Sequence, residues 1–216
     1  MVAKNSTPGR ESDRVEEELR RMIITLELRP GAMVSEAYLT KLLNCGRTPL
    51  REALQRLAQE YLIESVPRHG ISIAGLGLVD FVDLIEAIVL VEGFSARIAA
   101  GRITDEELAK MEEIITRAEE ASEKEKFSTV AELDYEFHCV AGQATGNRYL
   151  ADTIARLHRL ATRFGYIAWR HKGSSEMSLM EHRQILAAFK SRNPDEAERQ
   201  TREHTLRAKE RIVASF

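Results

Sequence analysis

The sequence predicts a mainly α chain divided into two unlike parts, on three observations. Residues 12–61 hold three runs of helical period separated by turn residues. Two short β-type runs follow, Leu62–Val66 and Ile71–Ile73, joined by Pro67-Arg68-His69-Gly70. Beyond Ala74-Gly75 no strand signal returns, and helical periods alternate with short breaks to the end. Three helices and a β-hairpin describe a winged helix-turn-helix, expected over 12–75. The remainder, over 79–216, reads as an all-α antiparallel bundle of roughly six helices. Residues 1–11 are polar and are expected to be a disordered tail.

Each element has a local reason. Val15, Leu19, Met22, Ile23 and Leu26 fall on one face of a first helix, which Arg29-Pro30-Gly31 stops. Ser35 is placed to cap a second helix that buries Leu39, Leu42 and Leu43. Asn44-Cys45-Gly46 breaks it. Thr48-Pro49 then supplies a hydroxyl cap and a proline in the first turn for a third helix, with Leu50, Ala53, Leu54 and Leu57 inward. In the second part, Thr104-Asp105-Glu106-Glu107 combines a capping hydroxyl with acids at a helix start. Breaks fall at Gly101-Arg102, Gly142 to Asn147, Gly173-Ser174-Ser175 and Asn193-Pro194.

Composition narrows the classes. The two cysteines, Cys45 and Cys139, are too few for a disulfide framework, and the polar start lacks the apolar core of a signal peptide. The most apolar stretch, Phe81 to Ala100, carries Asp83, Glu86, Glu92 and Arg97, too many charges for a lipid-spanning helix. A cytoplasmic location without membrane attachment is therefore expected. The net charge of −3 conceals two halves, near neutral over 1–75 and acidic over 76–216. The positive charge that matters is local: Lys41, Arg47, Arg51, Arg56 and Arg68 between residues 40 and 75.

The third helix carries the first chemistry. With its leucines buried, Arg51, Gln55 and Glu52 project outward, and Arg47 stands at its start. Cations at a helix N-terminus oppose the macrodipole, and an external phosphate there reverses the cost. Arginine can alternatively grip a guanine edge in the major groove. Arg68, His69 and Gly70 form the hairpin tip, beside a neighbouring groove. The run Arg47-Thr48-Pro49-Leu50-Arg51-Glu52-Ala53-Leu54, with Leu57, Glu60, Leu62, Pro67 and Gly70, resembles the DNA-binding domain of GntR-family transcription regulators. Leu28-Arg29-Pro30-Gly31 and Ser35-Glu36 extend the likeness to residues 12–74. It implies operator contacts from Arg47 and Arg51 and entry of the wing-tip glycine into a groove. Thr48, Gln55, Arg68 and His69 are candidates on the same surface. One departure is the turn, Leu43-Asn44-Cys45-Gly46, where the family has nearly Leu-Gly-Val-Ser; asparagine tolerates the left-handed conformation glycine adopts there.

The second chemistry lies among six histidines. Asp134 and His138, four apart in a helical segment, share one face. The stretch Asp134-Tyr135-Glu136-Phe137-His138, then Gly146-Asn147, Glu181-His182, Asp195, Ala197 and His204, is similar to the FCD domain of the FadR-type subgroup, as is Ile103–Leu108. The resemblance spans residues 80–210. It implies that Asp134, His138, His182 and His204 hold a divalent metal whose open positions take a carboxylate or hydroxyl of an effector. Three imidazoles and a carboxylate suit Zn²⁺, Ni²⁺ or Mn²⁺. His158 and His171 match nothing in that pattern and read as surface or packing residues, and Cys139 as core. Many members carry an arginine four residues before the position of Glu92, to hold an effector carboxylate; Ile88 stands there instead. Arg97, Arg163 and Asn147 are the remaining effector-binding candidates.

Together these imply a metabolite-responsive, homodimeric repressor that binds a pseudo-palindromic double-stranded operator and senses an organic acid or related metabolite. A helix over Phe81–Ala99 that is apolar on more than one face suits packing inside a bundle and against a second subunit. A metal-dependent enzyme and a regulator with a purely structural metal are the alternatives. Against catalysis, Glu136 faces away from His138, and no nucleophile with a partner is evident.

Overall fold

A computed structural model describes residues 8–66, 70–171 and 173–215. The chain forms two compact units that divide between Leu76 and Gly77.

The first unit opens with α1 (Pro8–Ile24). It starts earlier than the polar composition suggests, so Pro8 to Glu11 are helical rather than part of a tail; Pro8 suits a first turn because it has no N–H to satisfy. Residues 1–7 of the expected tail lie outside the described residues. Val15, Leu19 and Ile23 are buried, while Leu26, at φ +62°, has already left the helix. Strand β1 (Met33–Val34) precedes α2 (Glu36–Leu43). Ser35 caps α2 by accepting from the Tyr38 N–H at 3.1 Å, and Asn44 ends it in the left-handed region at φ 46°. The atypical turn thus keeps the backbone conformation that glycine usually supplies.

Helix α3 (Arg47–Gln59) begins one residue before the expected cap. Extended Gly46 takes the N-cap position without a side-chain bond, which leaves Thr48 and Pro49 inside the first turn. Strands β2 (Ile63–Val66) and β3 (Gly70–Ile73) form the hairpin, antiparallel, with Ile63 opposite Ile73 and Val66 opposite Gly70. β1 adds to the other side of β3, Met33 opposite Ser72, giving the order β1-β3-β2. That third strand was not anticipated, because two residues carry no alternation to read.

The second unit contains, among the described residues, six helices: α4 (Leu78–Ala100), α5 (Asp105–Glu123), α6 (Phe127–Gln143), α7 (Arg148–Trp169), α8 (Ser174–Lys190) and α9 (Pro194–Val213). Thr104 and Glu107 form a reciprocal capping box at α5, and Asn147 and Asn193 cap α7 and α9. The α5–α6 junction has neither glycine nor proline; Glu125 makes the reversal at φ +53°. A core of Met111, Ile115, Phe137, Leu186 and Phe189 joins α5, α6 and α8. α4 packs along α9 and also meets α6 and α7. The α4–α9 approach is close at Gly93, where a Cβ would stand 2.5 Å from Cγ of Arg202. Among the described residues, no helix is long and apolar enough to cross a membrane.

Candidate DNA-reading helix and metal centre

On α3, burial of Leu50, Ala53, Leu54 and Leu57 against α1 leaves Arg47, Thr48, Arg51, Glu52 and Gln55 exposed along one side. Helix geometry leaves the Arg47 and Thr48 amides outside the i→i−4 ladder. Arg51 donates through Nε to the Glu36 carboxylate, 3.0 Å from Oε2. Arg56, also exposed, is turned toward α1. Its Nη1 pairs with Asp13 at 2.7 Å and Glu16 at 2.8 Å, fastening α3 to α1. Gly70 adopts φ +104°, and a Cβ there would lie 2.7 Å from the Val34 carbonyl oxygen. Its glycine identity therefore has a local cause, the contact between β3 and the chain at β1. Arg68 and His69 lie outside the described residues.

In the helical unit, α6, α8 and α9 bring His138, His182 and His204 together, all buried, with one donor atom from each within 4.8 Å of the others. The Nε2 atoms of His182 and His204 stand 3.3 Å apart. Two nitrogens at about 2.0–2.1 Å from one tetrahedral ion are separated by roughly that distance. Asp134 approaches the same point, its Oδ1 3.5 Å from His182 Nε2. The four donors expected from the sequence are therefore neighbours, and their chemistry fits a divalent cation.

Carboxylates aim two of these rings. Nδ1 of His138 contacts Glu92 of α4, and Nδ1 of His204 lies 2.8 Å from Glu181. With Nδ1–H donated outward, Nε2 remains as the lone-pair nitrogen. Glu181 is in turn gripped by both Nη atoms of Arg211, at 2.8 and 2.7 Å. Burial alone would raise the Glu181 carboxyl, but the bonds from His204 and Arg211 bring it to about 2. Burial pushes the His138 imidazole down, and His182 goes well below its ordinary range for the same reason, reinforced by its histidine neighbours. Both shifts favour the neutral imidazole, the form a metal ligand requires.

His158, expected to be a surface or packing residue, is packed inside the unit rather than at its surface. It is buried and stacked on His138, centroids 3.7 Å apart and planes 15° apart, and its Nε2 lies 2.9 Å from Glu92 Oε2. Glu92, His138 and His158 also lie close enough to share an ion. The stacking argues otherwise: a ligand nitrogen points its lone pair in the ring plane, and two nearly parallel planes do not converge on one ion beside Glu92. The carboxylate instead faces two imidazoles, one per oxygen. Burial would raise its pKa, but His138 and His158 hold it well below the carboxylate range. Glu92 was visible in the sequence as a charge within the most apolar helix; His158 carried no comparable signal.

Beside the cluster lies a cavity of about 50 Å³. Asp134, His138, His158 and His204 are among its lining residues, together with the apolar Ile85, Ile88 and Trp169. The three sequence candidates for effector binding do not line it. Arg97 is at the surface, paired with Asp195 and, at 3.5 Å, Glu198. Asn147 is an exposed cap that accepts from the Tyr149 N–H at 3.0 Å. Arg163 is buried in α7, where desolvation lowers its pKa to about 10.

Comparison with known proteins bears on the family and the fold. Residues 11–73 match the family described as bacterial regulatory proteins, gntR family, and residues 83–207 match the FCD domain. The chain is 28% identical over 194 residues to the HTH-type transcriptional repressor RspR of Escherichia coli, covering 90% of this chain and 85% of that one. It is 29% identical over 175 residues to the Nta operon transcriptional regulator of Aminobacter aminovorans, covering 81% of each. Its fold matches that of E. coli McbR/YncC with a TM-score of 0.82 at 18% identity, over 99% of both chains. The family's members bind operator DNA through the first domain and an effector through the second. The chain belongs to the GntR family of bacterial regulatory proteins, with an FCD domain after its DNA-binding domain, and is a transcription regulator rather than an enzyme.

Proposed function

We propose that this regulator is a cytoplasmic, homodimeric repressor of the FadR-type subgroup that releases its operator when a small organic acid binds beside a divalent metal. The observation that carries this reading is the convergence of Asp134, His138, His182 and His204 next to a cavity. Zn²⁺, Ni²⁺ or Mn²⁺ held by those four residues would supply a Lewis-acidic site for an effector oxygen. Glu92 and Glu181 orient His138 and His204, and the buried walls exclude water. Arg47 and Arg51, with Thr48 and Gln55, form the operator-reading face; Gly70 and the tip residues Arg68 and His69 are assigned to the wing contact. RspR's description as a repressor favours repression. Effector binding shifts operator affinity only as far as it prefers one conformation of the chain.

The test is in vitro selection of operator sequences, followed by gel shifts with metal-loaded and chelator-stripped protein. Selected sites should be pseudo-palindromic, and Arg47→Ala or Arg51→Ala should abolish selective binding. Failure to enrich any sequence removes the DNA reading, and identical behaviour with and without metal, at every acid tested, removes the sensing reading.

A further inference from the structure

The two arginines on the reading side of α3 are held differently, and the difference lies in one carboxylate of α2. Arg51 donates through Nε alone, shared between both oxygens of Glu36 at 3.2 and 3.0 Å. Its Nη1 and Nη2 make no hydrogen bond or ion pair among the described residues, and the side chain is 66% exposed. Glu36 opens α2 directly after the capping Ser35, where the helix N-terminus favours an acid. Arg47, one turn earlier than Arg51 on α3, is exposed and has no carboxylate partner among the described residues.

A guanidinium has two forked donor edges, Nε with one Nη, and Nη1 with Nη2. Glu36 occupies the first and leaves the second. The free edge matches the O6 and N7 acceptors of guanine in the major groove. In shape it matches two phosphate oxygens equally well. Charge separates the two targets. A phosphate brought to Arg51 also approaches the Glu36 carboxylate, and like charges at such distances repel. A base edge carries no net charge and escapes most of that penalty. Holding Arg51 before binding also reduces the rotamer freedom it loses on DNA.

We infer that Glu36 is a specificity-determining residue. By holding Arg51 through Nε, it commits the Nη1/Nη2 edge to a base, guanine by its acceptor pattern, and disfavours phosphate there. Backbone contact on this side of α3 falls to Arg47. The inference rests on the assignment of Arg51 to the operator-reading face proposed above.

The unaltered full-length chain is compared with Glu36→Gln, Glu36→Ala and Arg51→Lys. Glutamine keeps the shape and an acceptor without the charge; lysine keeps the charge of Arg51 without its fork. Fluorescence anisotropy measures binding to a duplex from the selection described above, with each base pair replaced in turn, and to random-sequence duplex over a range of salt. Melting temperatures check that the variants fold. Arg51→Lys should flatten the preference at the base pair Arg51 faces. Glu36→Gln should flatten it at the same base pair by about fivefold or more, the lower end for a bidentate base contact. Random-sequence DNA should bind Glu36→Gln severalfold tighter. Its slope of log Kobs against log[salt] should steepen by about 0.9 for each Arg51 that gains a phosphate. Glu36→Ala, which also removes the acceptor, should in addition weaken operator binding. Unchanged base preference and salt slope in both Glu36 variants overturn the inference, because Glu36 is then a solvated surface acid. Flattening at a different base pair overturns it too, since Glu36 would itself be the contact. Uniform weakening at every position with a lower melting temperature marks a structural role and does the same. If Arg51→Lys leaves every preference intact, the assignment of Arg51 has failed first, and the inference falls with it.

Discussion

At residue scale, Glu92 is the informative position. A carboxylate in the most apolar helix is costly unless it is paired, and here it faces His138 through one oxygen and His158 through the other. Its role toward a metal is indirect: it fixes the orientation and tautomer of His138. Glu92→Gln should therefore leave the fold intact and weaken Zn²⁺ binding about 10–100-fold, the usual effect of removing such a partner. Competition with a chromophoric chelator measures this; an unchanged affinity would reduce Glu92 to a packing residue. Gly70 makes a different residue-scale case. At φ +104° and with the Val34 carbonyl 2.7 Å from a prospective Cβ, Gly70→Ala should destabilise the first unit by about 1–3 kcal/mol in urea unfolding. A loss of operator binding in that variant is to be read only after this stability has been measured.

At the scale of elements, α4 serves two sides. Ile85, Ile88, Ala96 and Ala99 are buried within the unit, yet Leu90 is 64% and Phe94 55% exposed, one turn apart on another face. An exposed apolar stripe of this kind suits a second subunit, so Leu90→Glu with Phe94→Glu should convert a dimer into a monomer by light scattering at micromolar concentration. A double variant that stays dimeric moves the interface elsewhere. The same helix shows what could be read in advance. Its length and its embedded charges were plain from periodicity, as were the capping box at Thr104 and the α2–α3 turn, where Asn44 takes a left-handed conformation. β1 was not legible, because two residues have no period and their pairing with β3 is tertiary. Nor was His158: its stacking on His138 arises from how α6 lies on α7, and a position 20 residues away in the chain carries no spacing rule. Arg56 counted toward the local positive charge in the sequence, which does not show that it faces Asp13 and Glu16.

For the whole molecule, the metal and the charge distribution give separate predictions. The candidate ligands come from α6, α8 and α9, between residues 134 and 204, so an ion would tie together distant parts of one unit and none of the other. Zn²⁺ at 100 times its dissociation constant should add about 2.7 kcal/mol to the helical unit alone. Calorimetry should then show one transition rising with metal and another that does not move. The DNA prediction follows from counting which cations remain available. Arg56 is held by Asp13 and Glu16, Arg20 by Glu16 and Glu60, and Arg51 already shares its Nε with Glu36. Among the described residues, what is left on the reading side of α3 is Arg47 and the outer edge of the Arg51 guanidinium, with Glu52 exposed beside them, and Lys41 of α2 is exposed as well. Each phosphate contact contributes about −0.9 to the slope of log Kobs against log[salt]. A dimer relying on a few placed arginines should therefore give a slope clearly shallower than about −9, the value for ten contacts. Binding to random-sequence DNA should be weak at physiological salt, and discrimination should rest on base edges. Fluorescence anisotropy between 50 and 300 mM salt decides it. A slope of −9 or steeper would mean that the phosphate contacts come from outside α3, and operator selectivity would then be set elsewhere than by Arg47 and Arg51.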